Sequence, residues 1–140
     1  MIGPFRLALV LGLTVAGVAH AQEAPTSAPT AVSLSRHLVA SGVEKTEPVG
    51  PADTFSAAST PQLVCFLEMA NRSGGETPIK VNWYVGDKLH YAQPIRLQPG
   101  PRTRTWARLK LTPRRAGSWR CEVEDGQGAK LGSVAFTVTE

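Results

Sequence analysis

Cys65, Trp83 and Cys121 constrain this chain more than anything else in it. Each lies in a short run that alternates apolar and polar residues. At the strand period of two, Leu63, Cys65, Leu67 and Met69 share a face. So do Ile79, Val81, Trp83 and Val85, and so do Trp119, Cys121 and Val123. Two inward cysteines with an inward tryptophan between them follow the spacing logic of an immunoglobulin-like sandwich, in which a disulfide joins the two sheets and packs on the Trp. Trp119 has the phase of the cysteines and joins Trp83 in the expected core. Two buried free thiols are the alternative for Cys65 and Cys121.

The first residues read as a targeting segment. Arg6 gives a positive start, Leu7 to Val18 is an apolar run, and Ala19-His20-Ala21 has the small-x-small form of a signal-peptidase site. A membrane anchor needs roughly 20 apolar residues, and Pro4 and Arg6 bound this run too tightly for that. The expectation is therefore cleavage after residue 21, a periplasmic or extracellular location, and no stable membrane insertion afterwards. In an oxidising compartment two cysteines read as one disulfide before they read as a metal or redox pair.

Residues 22–33 are mostly Ala, Pro, Thr and Ser, and read as a flexible linker. Residues 34–139 read as one β-sandwich domain. Leu34, Leu38, Val39 and Val43 fit neither period cleanly, and a first strand broken near Gly42 is favoured over a short helix. Pro48, Gly50 and Pro51 punctuate a loop, and Asp53 to Ser56 reads as a short edge segment carrying Phe55. The Cys65 strand is apolar on both faces, so it belongs centrally or under a cover. Asn71-Arg72-Ser73 is turn composition and also fits the glycosylation sequon. Gly86-Asp87, Pro99-Gly100-Pro101 and Asp125-Gly126-Gln127-Gly128 mark further turns. Pro94 assigns its strand to a sheet edge, and Leu131-Gly132 suggests a bulge. The sum is an all-β, antiparallel, immunoglobulin-like sandwich of seven or eight strands.

Several stretches in order are similar to a bacterial family known as domain of unknown function 2914. They are Val43 to Pro48, Val64 to Glu68, Val81 to Tyr84, Arg104 to Ala107, Gly117 to Arg120 and Leu131 to Val138. The resemblance covers about residues 34–139. The family pattern tends to Arg-Trp where this chain has Asn82-Trp83, and to Val at Cys121, so the disulfide is a reading of these residues and not of the resemblance. The resemblance implies no activity and no catalytic residues.

No catalytic constellation stands out, and no cofactor or metal site is expected. His37 and His90 lie near no nucleophile or ligand motif and read as solvent-facing. Glu122, Glu124 and Asp125 form an acidic run. It reads as a charged outer face, with a cation site or carboxylate pair as the alternative. Tyr84 opposes Trp83 in phase and reads equally as a contact residue or as an ordinary sheet residue. The unusual stretch is Arg102 to Leu111. Alternation puts Arg102, Arg104, Trp106, Arg108 and Lys110 on one face, inside a segment from Lys88 to Arg120 with nine basic residues and no acidic one. Either an Arg–Trp ladder protects a sheet face there, or the face binds. The expectation is an exported, non-catalytic binding or accessory module of the cell envelope, contacting an anionic polymer or an acidic protein through that face, with no nucleic-acid partner. The alternatives are an envelope enzyme using Glu122, Glu124 or Asp125 with a metal or sugar, and a purely structural module.

Overall fold

The computed structural model describes residues 31–140. The expected signal segment, and the expected linker up to residue 30, lie outside them. Nine strands run in order: β1 Val32–Glu44, β2 Glu47–Pro51, β3 Thr54–Ser56, β4 Gln62–Asn71, β5 Thr77–Val85, β6 Lys88–Leu97, β7 Gly100–Lys110, β8 Gly117–Glu124 and β9 Lys130–Thr139. A single 3-10 turn, Pro113–Arg115, joins β7 to β8. The strands form two sheets, ordered β2-β1-β4-β7 and β3-β9-β8-β5-β6. The fold is an all-β immunoglobulin-like sandwich.

Alternation builds its core. Leu63, Cys65, Leu67 and Met69 of β4 face Ile79, Val81, Trp83, Trp119, Cys121 and Val123 of the second sheet, all buried. Trp83 pairs with Cys121 across the β5–β8 ladder. Phe136 packs edge-on against Trp83 and stacks on Trp119. The disulfide between Cys65 and Cys121 ties one sheet to the other, with Cα atoms 6.6 Å apart. Closing a loop of 56 residues stabilises such a fold by roughly 4 kcal/mol in the chain-entropy model.

Four details differ from the sequence reading. First, nine strands replace seven or eight, because Pro48, Gly50 and Pro51 do not form a loop. They lie in β2, an edge strand on β1 where proline leaves no interior ladder bond unmade. Second, the sandwich is not wholly antiparallel: β3 pairs parallel to β9, opposing Phe55 to Val138. Third, β1 begins at Val32, inside the expected linker, and passes through Gly42 unbroken. Its irregularity lies between Leu34 and Arg36 in the pairing with β4. Ser35 is the extra residue there, and its Oγ donates to the Glu68 carbonyl at 2.9 Å. This bulge inverts the phase, so Leu34 and then His37 and Val39 face inward. Neither simple period fits for that reason.

Fourth, Asn71 is structural. Its Nδ2 donates to the carbonyls of Gly75 and Leu97, both at 3.0 Å, and its Oδ1 accepts from the Ser73 N–H and hydroxyl. A side chain this buried and this fully bonded organises the β4–β5 turn. At Leu131 the expected bulge is present, with Gly132 opposite Val123 and Lys130 opposite Glu124. Gly132 gives Leu34 room: a Cβ there would lie 2.6 Å from Leu34 Cδ2, and that side chain would have to turn aside.

Candidate functional site: a basic cleft between the free edges of the two sheets

Strand β7 carries its predicted basic face, but the face divides in two. Its first half is an ion-pair lattice. Arg102 Nε lies 2.5 Å from Glu68, and Arg104 reaches Glu47 at 2.6 Å and Glu68 at 3.5 Å. Arg36 completes the set on Glu47 at 3.1 Å. Hydrogen bonding from Arg102 draws the Glu68 carboxyl below its usual range; burial opposes this, and the charges of Arg102, Arg104 and Arg36 reinforce it. Trp106 is half-buried and stacks on Phe66, which β4 presents to the same outer face, and Arg36 covers Phe66 at 5.5 Å. Outward apolar residues on β4 thus find their cover in Trp106 and the arginine stems. The reading of Arg102, Arg104 and Trp106 as a free contact surface is corrected: these side chains are committed to neighbouring strands.

Glu47 is not foreseeable as a partner, because the Pro48, Gly50 and Pro51 that follow it signal a loop and not a strand. It is delivered by a two-residue hairpin at Lys45-Thr46, both in the left-handed region with φ of 49° and 62°. Arg104 also leans on the Thr46 carbonyl and hydroxyl.

The second half of β7 is different. Arg108 and Lys110 are exposed, and among the described residues neither meets a carboxylate. Both line a cleft of about 220 Å³ together with His90, Tyr91, Leu109 and Arg115. Its walls are β6 and β7, each the terminal strand of its own sheet. A bulge in β6 shapes it: Tyr91 pairs with Trp83 but Leu89 with Tyr84, leaving His90 as the extra residue. Consecutive residues of a regular strand point to opposite faces. The bulge instead lets His90 and Tyr91 line one cleft. His90 packs edge-on to Trp119, with ring centroids 5.1 Å apart. Tyr91 keeps 49% of its surface exposed. Arg115 is anchored from the 3-10 turn by an Nη1 bond to the Lys110 carbonyl. His90 is exposed; partial desolvation first, and then the charges of Arg115 and Lys88, lower its pKa.

His90, Tyr91 and Arg115 were not assigned to a site from the sequence. Leu89-His90-Tyr91 alternates cleanly and gives no sign of the bulge, so the available signal was the position of Arg115 within the acid-free segment. A larger hollow of about 520 Å³ beside Pro78 and Pro94 is less suited to an anion, because its Arg96 is paired to Glu76 at 3.3 Å.

The acidic run does not converge. Glu122 is only 6% exposed on its sheet face, clamped by Arg120 at 2.9 Å and Lys130 at 3.2 Å. Burial raises its pKa, but the bonds from Arg120 and Lys130 outweigh that and leave it lowered. Glu122 is thus a buried anchor and not part of an exposed charged face. Asp125 accepts from the backbone of Gln127 and Ala129 and shapes the β8–β9 turn. Glu124 sits opposite Lys80 on β5. Tyr84 lies under Arg120, 4.1 Å from the guanidinium carbon, as a covered sheet residue. His37 is not solvent-facing either: it is half-buried between the sheets, with Nε2 at 3.2 Å from Cys65 Sγ. Burial lowers its pKa from 6.5 to about 4.

The model of a family described as a protein of unknown function, DUF2914, matches residues 76–138. Over β5 to β9 the chain resembles that family. The match leaves out the stretches Val43 to Pro48 and Val64 to Glu68. An immunoglobulin-like protein from Pseudomonas aeruginosa superposes with a TM-score of 0.53 at 16% identity, over 76% of this chain and 95% of that one. This likeness concerns the fold alone. A CARDB domain from Pyrococcus furiosus, in complex with di-metal ions, gives a TM-score of only 0.40 at 13% identity, over 77% of this chain and 90% of that one. No curated protein matches the chain in sequence. Among the described residues no helix is long and apolar enough to cross a membrane.

Proposed function

We propose that this protein is an exported, non-catalytic binding module of the cell envelope that holds an anionic polymer at the β6–β7 cleft. The observation that carries the reading is the charge on that cleft. Arg108, Lys110 and Arg115 surround it beside an exposed Tyr91, with no acidic side chain among the lining residues. Elsewhere on the same strand every arginine is given a carboxylate. Like charges left together repel, and an anion entering the cleft relieves that repulsion. Tyr91 adds a flat apolar surface suited to a sugar ring. The cleft lies between two sheet edges, a place a polymer chain can reach. The dispersal of Glu122, Glu124 and Asp125 into separate structural tasks supports a non-catalytic role. Export rests on the apolar run ending at Ala19-His20-Ala21 and agrees with the disulfide.

Retention of the protein on immobilised sulfated dextran, uncharged dextran and polyglutamate tests the proposal. Wild type is expected to be held by the sulfated polymer and eluted by salt, with Arg108→Ala/Lys110→Ala eluting much earlier at unchanged melting temperature. Equal retention of that variant would overturn the assignment. Retention by polyglutamate alone would favour an acidic protein as the partner.

A further inference from the structure

The second cluster with chemical potential lies on the opposite side of the sandwich, around the disulfide. The imidazole of His37 and the sulfurs of Cys65 and Cys121 all lie within 4.8 Å of one another. They come from three strands, β1, β4 and β8, and from both sheets. Both cysteines are fully buried, while His37 is half-exposed. Two irregularities bring the ring there. The Ser35 bulge turns His37 inward where regular alternation would have turned Arg36. Gly132 makes room, since a Cβ at that position would lie 3.1 Å from His37 Nδ1. The ring also stands at a gap in the cover. Strand β2 protects β1 only from Ala40 onward, and β3 protects β9 only from Thr137 onward. His37 and Gly132 lie in the uncovered stretch between the sheets, and the half-exposed imidazole stands beside the buried sulfurs there, with Leu34 and Leu131 packed against the core.

We propose that the reduced form of this cluster is a metal site, in which the thiolates of Cys65 and Cys121 and the imidazole of His37 bind one ion of the Zn²⁺ type. Two thiolates and one imidazole are the ligand set such borderline ions prefer, and three protein ligands leave a fourth position for water at the seam. A dithiol reductant supplies the two electrons that open the Cys65–Cys121 bond and itself becomes the disulfide. The two thiols formed lose their protons to solvent as the ion binds. Two sulfurs on a tetrahedral zinc stand about 3.8 Å apart, from metal–sulfur distances of about 2.3 Å. Cysteines with Cα atoms 6.6 Å apart are close enough to reach that spacing by side-chain rotation. The ion then replaces the disulfide as the tie between the sheets.

Cobalt substitution tests the site on the full chain. The protein is reduced without oxygen, freed of reductant, and titrated with Co²⁺ while the β-sheet circular dichroism is followed. The expected result is a single saturating equivalent, with intense visible bands of tetrahedral cobalt and thiolate-to-cobalt charge transfer, displaced by Zn²⁺. His37→Ala keeps both thiols but is expected to lose those bands at the Co²⁺ concentration that saturates wild type. The oxidised protein is expected to show none. If reduction unfolds the chain, Co²⁺ must restore the sheet signal in wild type and not in His37→Ala. A reduced wild type without thiolate–cobalt bands, or a His37→Ala variant that binds as tightly, would overturn the proposal.

Discussion

Phe66 and Trp106 face each other across the β4–β7 ladder, their rings 10° from parallel and their centroids 6.4 Å apart. The pair lies on the outer face of its sheet, yet Phe66 is fully buried. Trp106 is thus a cover for an apolar residue that alternation sends outward. Trp106→Ala is expected to destabilise by about 1.5–3 kcal/mol, from lost apolar cover and aromatic contact. Arg108→Ala, two residues along the same face, is expected to stay within about 0.5 kcal/mol of wild type. Urea unfolding of the two variants separates the structural half of β7 from the free half, and equal losses would contradict the division.

His37 gives the stability a pH dependence of known sign. Burial lowers its folded pKa from 6.5 to about 4, so the unfolded chain binds the proton more readily. Stability is complete above pH 6.5 and falls as pH drops from there toward 4. The loss is at most about 3 kcal/mol, reduced by solvent screening because the ring is half-buried. The lowered carboxyls of Glu68 and Glu122 act in the other window: their contribution is present above the ordinary carboxylate pKa and is lost only below it. Unfolding of oxidised wild type and His37→Gln at pH 7.5 and pH 4.8 isolates the histidine. The fall between the two pH values is expected to be smaller in the variant.

The fold was legible because its signals are local. Inward phase at Cys65, Trp83 and Cys121 needs only alternation, and the turns at Gly86-Asp87 and Asp125 to Gly128 need only turn chemistry. Bulges at Ser35 and His90 were not legible. Each flips the phase of the strand residues after it, and neither residue is a glycine that would mark the change. The same two bulges turn His37 toward the disulfide and His90 into the cleft, so both histidines were missed for one reason. The ion-pair lattice was hidden differently: Glu47 lies far from Arg104 in sequence, and a segment with Pro48 and Pro51 gives no sign of pairing as an edge strand. Arg108 and Lys110 were correctly placed by alternation on the face where they stand, but alternation cannot say which cations on a face have partners.

The β1–β2 hairpin holds backbone strain that can be removed. Lys45 and Thr46 occupy the left-handed region, which costs a non-glycine residue, and a β-branched one especially. A two-residue hairpin with both φ values positive favours Asn-Gly. Replacing Lys45-Thr46 by Asn-Gly is expected to stabilise the fold by about 1 kcal/mol, the entropy of the added glycine offsetting part of the relief. Thermal unfolding checks this. A lowered melting temperature would mean that the weak contacts of Arg104 with Thr46, both at 3.5 Å, matter more than the strain.

The depressed pKa of His90 links anion binding at the cleft to protons. Partial desolvation favours the neutral form of this exposed imidazole, and the cations Arg115 and Lys88 reinforce this. An anion in the cleft offsets that positive field and favours the imidazolium, so binding raises the His90 pKa and by linkage acid strengthens binding. Retention on sulfated dextran, whose own charge is constant across the range, is therefore expected to rise as pH falls from 8 to 5.5. Raising the salt concentration is expected to shrink the effect, because exposed charges are screened over about 10 Å at 0.1 M ionic strength. His90→Gln keeps a polar side chain of similar size but cannot take up the proton, and its retention is expected to be flat across the same range. The fold itself loses stability in the acid arm through His37, so His37→Gln run alongside separates the two histidines: it is expected to keep the rise in retention that His90→Gln loses. A pH-independent wild type, or a rise that survives in His90→Gln, would detach His90 from the binding surface and leave Arg108, Lys110 and Arg115 as its charged part.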